Sequence, residues 1–161
     1  MGGMKKIDPD APRLVAQNRK VRHEYLILQE LEVGLVLLGS EVKSLRTGRC
    51  SLAEAHVRAK EGELFLVGAH IPEYVHAGKQ NHEPTRTRKL LAHKREIMGL
   101  EKASREKGMT MVPLALYFVR QHLKLKIALV RGKKLHDKRA TTRERDDKRE
   151  LAREAKLHGR H

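Results

Sequence analysis

Tryptophan is absent from this chain, and only three tyrosines and two phenylalanines stand among its 161 residues. Base stacking on aromatic platforms is therefore not expected to be its main way of holding a nucleic acid. The single cysteine, Cys50, cannot close an internal disulfide, which fits a reducing cytosol and gives no support to an oxidising compartment. No apolar run approaches the ~18 residues of a membrane span. The opening stretch MGGMKKIDPDAPRL lacks the apolar centre of a secretory signal. The expectation is a cytoplasmic protein with no membrane partner.

Reactive constellations are missing too. There is no G-x-S-x-G, no Walker loop and no paired-carboxylate signature. His23-Glu24 and Glu41 could be drawn as acid/base groups, but nothing sets a nucleophile or a phosphate loop beside them, and charged residues next to strands are usually solvated or ion-paired. Ten histidines invite a metal, yet His70, His76 and His82 recur every six residues, which matches neither a helical face nor a common zinc spacing. The chain is expected to be no enzyme, with no metal and no cofactor.

What the chain does carry is positive charge. It has 35 Lys and Arg against 20 Asp and Glu, a formal surplus of +15. Such a surplus points to nucleic acid, or less often to an anionic membrane surface. The surplus is uneven: residues 1–130 hold 23 basic and 14 acidic residues (+9), whereas the last 31 hold 12 and 6 (+6). Per residue, the end is nearly three times as basic. After Val130 the only large apolar residues are Leu135, Leu151 and Leu157. Three parts follow: a polar leader over 1–17, a globular body over 18–131 and a basic tail over 132–161. A body of this size suggests one domain with a core of its own.

The body reads mainly as strands. EYLILQELEVGLVLLGSEVKSL is rich in apolar residues, with Gly34 and Gly39 placed for bends or bulges. AHVRAK and GELFLVGAHI flank Glu61-Gly62 as a hairpin. MVPLALYFV and HLKLKIALVRG meet near Arg120, and Pro113 implies an edge or a bulge in its strand. In the last run Leu123, Leu125, Ile127 and Leu129 alternate with Lys124, Lys126, Ala128 and Val130, which places the first set on the core and both lysines on the opposite face. Ser51 and Glu54 suggest a capping box for a short helix SLAEAH, and a second helix is expected from about Arg86 to Lys107, stopping at Gly108. Many strands with two inserted helices predict a mainly β fold, a small antiparallel barrel of OB type.

Basic clusters recur along the body and into the tail: NRKVRH (Asn18 to His23), TRTRK (Thr85 to Lys89), Lys124 with Lys126, and RGKKLHDKR (Arg131 to Arg139). One such cluster is usually a solubilising face. Four of them shift the expectation to phosphate binding.

Several strings go further than composition. NRKVRHEY, GSEVKSLR (Gly39 to Arg46), EPTRTRKLL (Glu83 to Leu91) and GKKLHDKR (Gly132 to Arg139) occur in one order, and with them the chain closely resembles the small protein B family, the bacterial partners of transfer-messenger RNA. The resemblance runs from about Asn18 to Arg139 and then continues as the general character of the tail. Glu83, Ala92 and Cys50 depart from the family's usual Asp, Leu and Ala, away from its RNA-facing positions.

The resemblance implies an OB-like barrel with short helices and a basic C-terminal tail that is disordered when free and helical on the ribosome. It implies binding to the tRNA-like domain of transfer-messenger RNA and delivery of that RNA, in a complex with elongation factor Tu, to stalled ribosomes as a monomer. It implies RNA-binding roles for Glu32, Leu90 and Lys124, with His23, Lys126, Lys133 and Lys134 on or beside the same surface. It assigns His136, Asp137, Lys138 and Arg139, with tail residues Arg145, Arg149 and Arg153, to the small-subunit decoding centre and messenger channel.

Side-chain chemistry agrees with these roles. Lys124 and Lys126 on a rigid strand contact phosphates without costly ordering. Glu32 suits base amino groups or sugar hydroxyls, or orients an arginine, and does not suit phosphate. Leu90 either packs on an unstacked base or fills space between helix and barrel, and His23 either stacks on a nucleotide or is a buried, hydrogen-bonded histidine. Arg145, Arg149, Arg153, Lys156 and Arg160 would form one basic stripe on a helix that is marginal in water and folds on contact with RNA.

Overall fold

Alternation of apolar and polar side chains builds most of this protein. The computed structural model describes residues 11–132. In chain order these form β1 (Arg13–Gln17), α1 (Val21–Glu24), β2 (Tyr25–Leu35), α2 (Gly39–Arg46), β3 (His56–Lys60), β4 (Glu63–Val67), β5 (Arg88–Leu91), α3 (Lys94–Ser104), β6 (Met109–Val119) and β7 (His122–Gly132). All strand pairings are antiparallel. Neighbour follows neighbour in the order β6-β3-β4-β5-β2-β7, and β7 pairs back onto β6, so six strands close a barrel-like ring. The expected mainly β, antiparallel, closed architecture with short inserted helices is what forms.

The ring encloses one main core. Val33, Leu64, Leu66, Leu90, Leu116, Leu125 and Ile127 are all buried in it, and α3 closes one side with Ile97 and Leu100. The β3–β4 hairpin turns at Glu61 (φ 52°) and Gly62 (φ 76°), two consecutive left-handed residues of the kind that two-residue hairpins need. Pro113 sits at a shift in the β6–β7 register between Pro113 and Ala115, the bulge its missing N–H implies.

Four local expectations are corrected. The leader does not extend to residue 17, because Arg13–Gln17 pairs with β6 and Ala16 is buried in the core. GSEVKSLR is a helix, α2, not part of a strand region; the Leu38 N–H donates to Glu41 Oε1 at 2.8 Å at its start. SLAEAH is a single turn bridged to His70, with Ser51 Oγ accepting the Ala53 N–H; Leu52 and Ala55 are drawn into the core too early for a helix to continue. The helix expected from Arg86 begins only at Lys94. Residues 88–91 are strand, because Arg88 and Leu90 point inward while Lys89 and Leu91 point outward, a period of two.

β7 has two differently dressed halves on its outer face. Toward its C-terminal end Ala128 and Val130 are buried against Val21 of α1, Val112 and Leu114. Toward its N-terminal end Lys124 and Lys126 are partly exposed. The predicted alternation holds throughout, but only half of the polar face reaches solvent.

Candidate nucleic-acid interface

The β2–β7–β6 sheet sets the outer-face residues in two rows. In the first, Glu32 of β2 lies opposite Lys126 of β7, which lies opposite Ala115 of β6. In the second, Gly34 lies opposite Lys124, which lies opposite Tyr117. Partners across a ladder stay on one side of the sheet, so Glu32, Lys124, Lys126 and Tyr117 share one face.

Glu32 does not pair with the lysine opposite it. The Tyr117 hydroxyl donates to Glu32 Oε2. Since β7 lies between β2 and β6, this bond crosses β7, passing between the two lysines. Lys126 Nζ pairs instead with Glu30 Oε2 at 3.8 Å. Burial, together with the carboxylate of Glu32, pushes the Tyr117 phenol well above the ordinary tyrosine range, so it stays protonated and remains a donor.

A groove opens on either side of this bridge. One, about 460 Å³, is lined by Asn18, Arg19, Arg22, Glu30 and Lys126 among others, a largely polar wall with three cations. The other, about 300 Å³, is lined by Leu35, Leu37, Leu91, Gln121, His122 and Lys124 among others, leucine side chains set among polar groups. Gly34, which also lines this groove, leaves room for Leu91: a Cβ at this position would stand 3.3 Å from Leu91 Cβ, so that Leu91 would have to give by a few tenths of an ångström. The first groove suits a phosphate–sugar backbone, and the second sets leucines that suit the face of an unstacked base beside polar groups that suit its edges.

The structure brings Glu32, Lys124 and Lys126, which the resemblance set on or beside one surface, onto one face of the sheet. His23 is exposed on α1 beside the groove residue Arg22, so the buried alternative for it is set aside. Leu90 is corrected: it is 1% exposed in the core, opposite Leu64, which leaves it no surface to offer a base. The next residue, Leu91, is 50% exposed and lines the second groove. A period of two through RKLL separates these leucines, whereas a helical reading does not. Tyr117 was missed as well, though its place between the core residues Leu116 and Phe118 would have put it on the outer face. Lys133, Lys134, His136, Asp137, Lys138, Arg139, Arg145, Arg149 and Arg153 lie outside the described residues.

The TRTRK cluster has another use. Arg88 is fully buried, and its Nε donates to Glu41 Oε2 at 2.5 Å while its other nitrogens donate to the carbonyls of Ala69 and Pro84. Arg86 donates to the second oxygen, Glu41 Oε1, at 2.5 Å. Burial works against the charge of Glu41, but hydrogen bonds from Arg86, the Leu38 N–H and Arg88 outweigh it and hold the carboxyl below the usual range. Lys89 pairs with Glu63 at 2.9 Å. These arginines clamp α2 and β5 together rather than face a phosphate.

Among the described residues no group of three or more His, Cys, Asp or Glu is placed to hold a metal ion, and no helix is long and apolar enough to cross a membrane.

Comparison with known proteins places this geometry. The family model described as SmpB protein matches residues 15–157. An SsrA-binding protein of Bartonella henselae is 52% identical over 156 residues, covering 96% of this chain and 99% of its own. That of Syntrophobacter fumaroxidans is 49% identical over 141 residues, 88% of each chain. A chain in the solved structure described as "tmRNA-SmpB: a journey to the center of the bacterial ribosome" is 42% identical, with a TM-score of 0.63 over 74% of this chain and 85% of that one. With a family match running from within β1 to near the last residue, and relatives about half identical across nearly their whole length, this chain belongs to the SmpB family.

Proposed function

We propose that this chain binds the tRNA-like domain of transfer-messenger RNA and delivers it to stalled ribosomes for trans-translation, so that the incomplete polypeptide is tagged. The observation that carries the reading is the outer face of β2–β7–β6, where two strand-borne lysines flank a tethered carboxylate between a cationic groove and one that sets leucines among polar groups. Two kinds of recognition meet there. Lys124, Lys126, Arg19 and Arg22 supply charge that any phosphate backbone would accept. Glu32 supplies acceptors that only amino groups or hydroxyls satisfy, and Leu91 supplies an apolar surface for a base. A carboxylate on a phosphate-binding face selects for a particular RNA shape rather than for charge.

On this reading His23, Glu32, Leu91, Lys124 and Lys126 contact RNA, with Lys133 and Lys134 continuing the basic surface. His136, Asp137, Lys138, Arg139, Arg145, Arg149 and Arg153 serve the small-subunit decoding centre and messenger channel. The chain works in the cytoplasm as a monomer, performs no catalytic step itself, and meets elongation factor Tu within the delivery complex. The test is to capture the tagged protein from its own cells, sequence the RNA that copurifies, and supply protein and RNA to a reconstituted stalled-translation assay. One abundant stable RNA with a tRNA-like end, and tagging that depends on the protein, is the expected result. Uniform recovery of ribosomal RNA with no tagging overturns it.

A further inference from the structure

Tyr117 lies buried on the interface face, within a patch beside Lys124 and Lys126 whose other polar side chains reach solvent. A buried hydroxyl needs a partner, and this one reaches across an intervening strand to find it. The partner is Glu32, an exposed carboxylate on a glutamate side chain that would otherwise sample several rotamers above the sheet.

We propose that Tyr117 is the positioning residue of the RNA-binding face: its hydroxyl fixes the Glu32 carboxylate over β7, between Lys124 and Lys126, and so aims the remaining acceptor sites at the RNA. A carboxylate offers about four lone-pair sites, and Tyr117 occupies one of them on Oε2. Oε1 stays free to accept from a base amino group or a sugar hydroxyl. The tether also keeps Glu32 from the lysines. Lys126 is turned to Glu30 at 3.8 Å, and no ion pair holds Lys124 among the described residues. Without the tether Glu32 could swing onto either lysine and mask a phosphate contact. Ordering before binding spares the complex the rotamer entropy of that side chain.

The inference rests on Glu32 being an RNA contact, and the variants test the two ideas separately. Tyr117→Phe removes one oxygen and no charge. Glu32→Asp keeps the charge but is one methylene too short to cross β7. Binding of the full chain to the tRNA-like domain RNA is measured across salt, beside an unrelated RNA duplex, with melting temperature as the folding control. Both variants should bind the specific RNA about tenfold more weakly, with an unchanged salt slope and unchanged binding to the duplex. Combining them should cost no more than either alone, because both break one linkage. If Glu32→Ala binds like wild type, the role of Glu32 itself fails and the positioning role falls with it. If Glu32→Ala binds weakly while Tyr117→Phe or Glu32→Asp binds like wild type, positioning alone is overturned. An equal loss on both RNAs, or additive losses in the double variant, also overturns it.

Discussion

Removal of Lys124 and Lys126 separates phosphate contacts from folding with little ambiguity. Both side chains are partly exposed on the outer face of β7, and the one ion pair involved, Lys126 with Glu30, has its members 44% and 39% exposed. Exposed pairs of this kind are worth about 0–1 kcal/mol, so either alanine variant should melt within a few degrees of wild type. Binding should respond more strongly. Each lost phosphate contact lowers the log–log salt slope by roughly 0.7 to 0.9, so the double variant should lose about 1.4 to 1.8. Between 50 and 200 mM salt the gap between wild type and double variant should then close by roughly seven- to twelvefold. Glu30→Gln supplies the mirror image: it releases Lys126 and should steepen the slope or leave it unchanged, never flatten it. Filter binding of the tRNA-like RNA over a salt series reads all five proteins. A double variant whose slope equals that of wild type refutes the reasoning and removes both lysines from the interface.

Other outcomes follow from single side chains. Leu90→Ala should cost about 2–5 kcal/mol of stability and leave binding per folded molecule intact, whereas Leu91→Ala should melt normally and bind the RNA less well; calorimetry beside binding separates them. Glu32→Gln should cost about 1.5–3 kcal/mol of specific binding while nonspecific binding holds or rises, a divergence that competition with unrelated RNA would expose. Because the Glu41 carboxyl is held low in the folded protein, its contribution to stability is complete above the unfolded value near ~4.3 and is lost as pH falls through the folded value. Glu41→Gln should therefore flatten the acid limb of a stability–pH curve while lowering stability at neutral pH, and a curve of unchanged shape would count against the buried network. Truncation after Arg139 removes seven basic residues (Arg143, Arg145, Lys148, Arg149, Arg153, Lys156, Arg160); melting and specific RNA binding should survive while tagging on stalled ribosomes collapses.

Strands whose two faces meet different surroundings announce themselves, and β7 was legible for that reason: Leu125 and Ile127 are buried while Lys124 and Lys126, alternating with them, are not. The hairpin at Glu61-Gly62 was equally plain, since its turn demands left-handed residues. α2 was hidden. Its eight residues include only two large apolar ones, Val42 and Leu45, and its buried anchor is Glu41, whose partners lie 45 and 47 residues away. The same distance concealed the use of Arg86 and Arg88, because an arginine facing a phosphate and one clamping a carboxylate read alike in sequence. Two adjacent leucines fit a helix or a strand, so whether Leu90 meets a base or the core stays open in sequence until the period of two in β5 settles it. At the site, both charge signs could be placed, but the cross-strand bond between Tyr117 and Glu32 depends on the strand order β2-β7-β6, which no local pattern encodes.

β7 also works as a ruler. It is paired along its length by β6 on one side and by β2 on the other, so it can neither stretch nor slide. Eight steps separate Lys124 from Gly132, about 27 Å at roughly 3.3–3.4 Å per step. At its far end the Gly132 N–H is pinned to the Gly108 carbonyl at 3.0 Å. The point at which residues 133 onward attach is therefore held at a set distance and bearing from Lys124 and Lys126. One added residue between them would turn both lysines into the core, and two would restore the face but shift the attachment point by about 7 Å. Whatever follows Gly132 starts from a fixed origin.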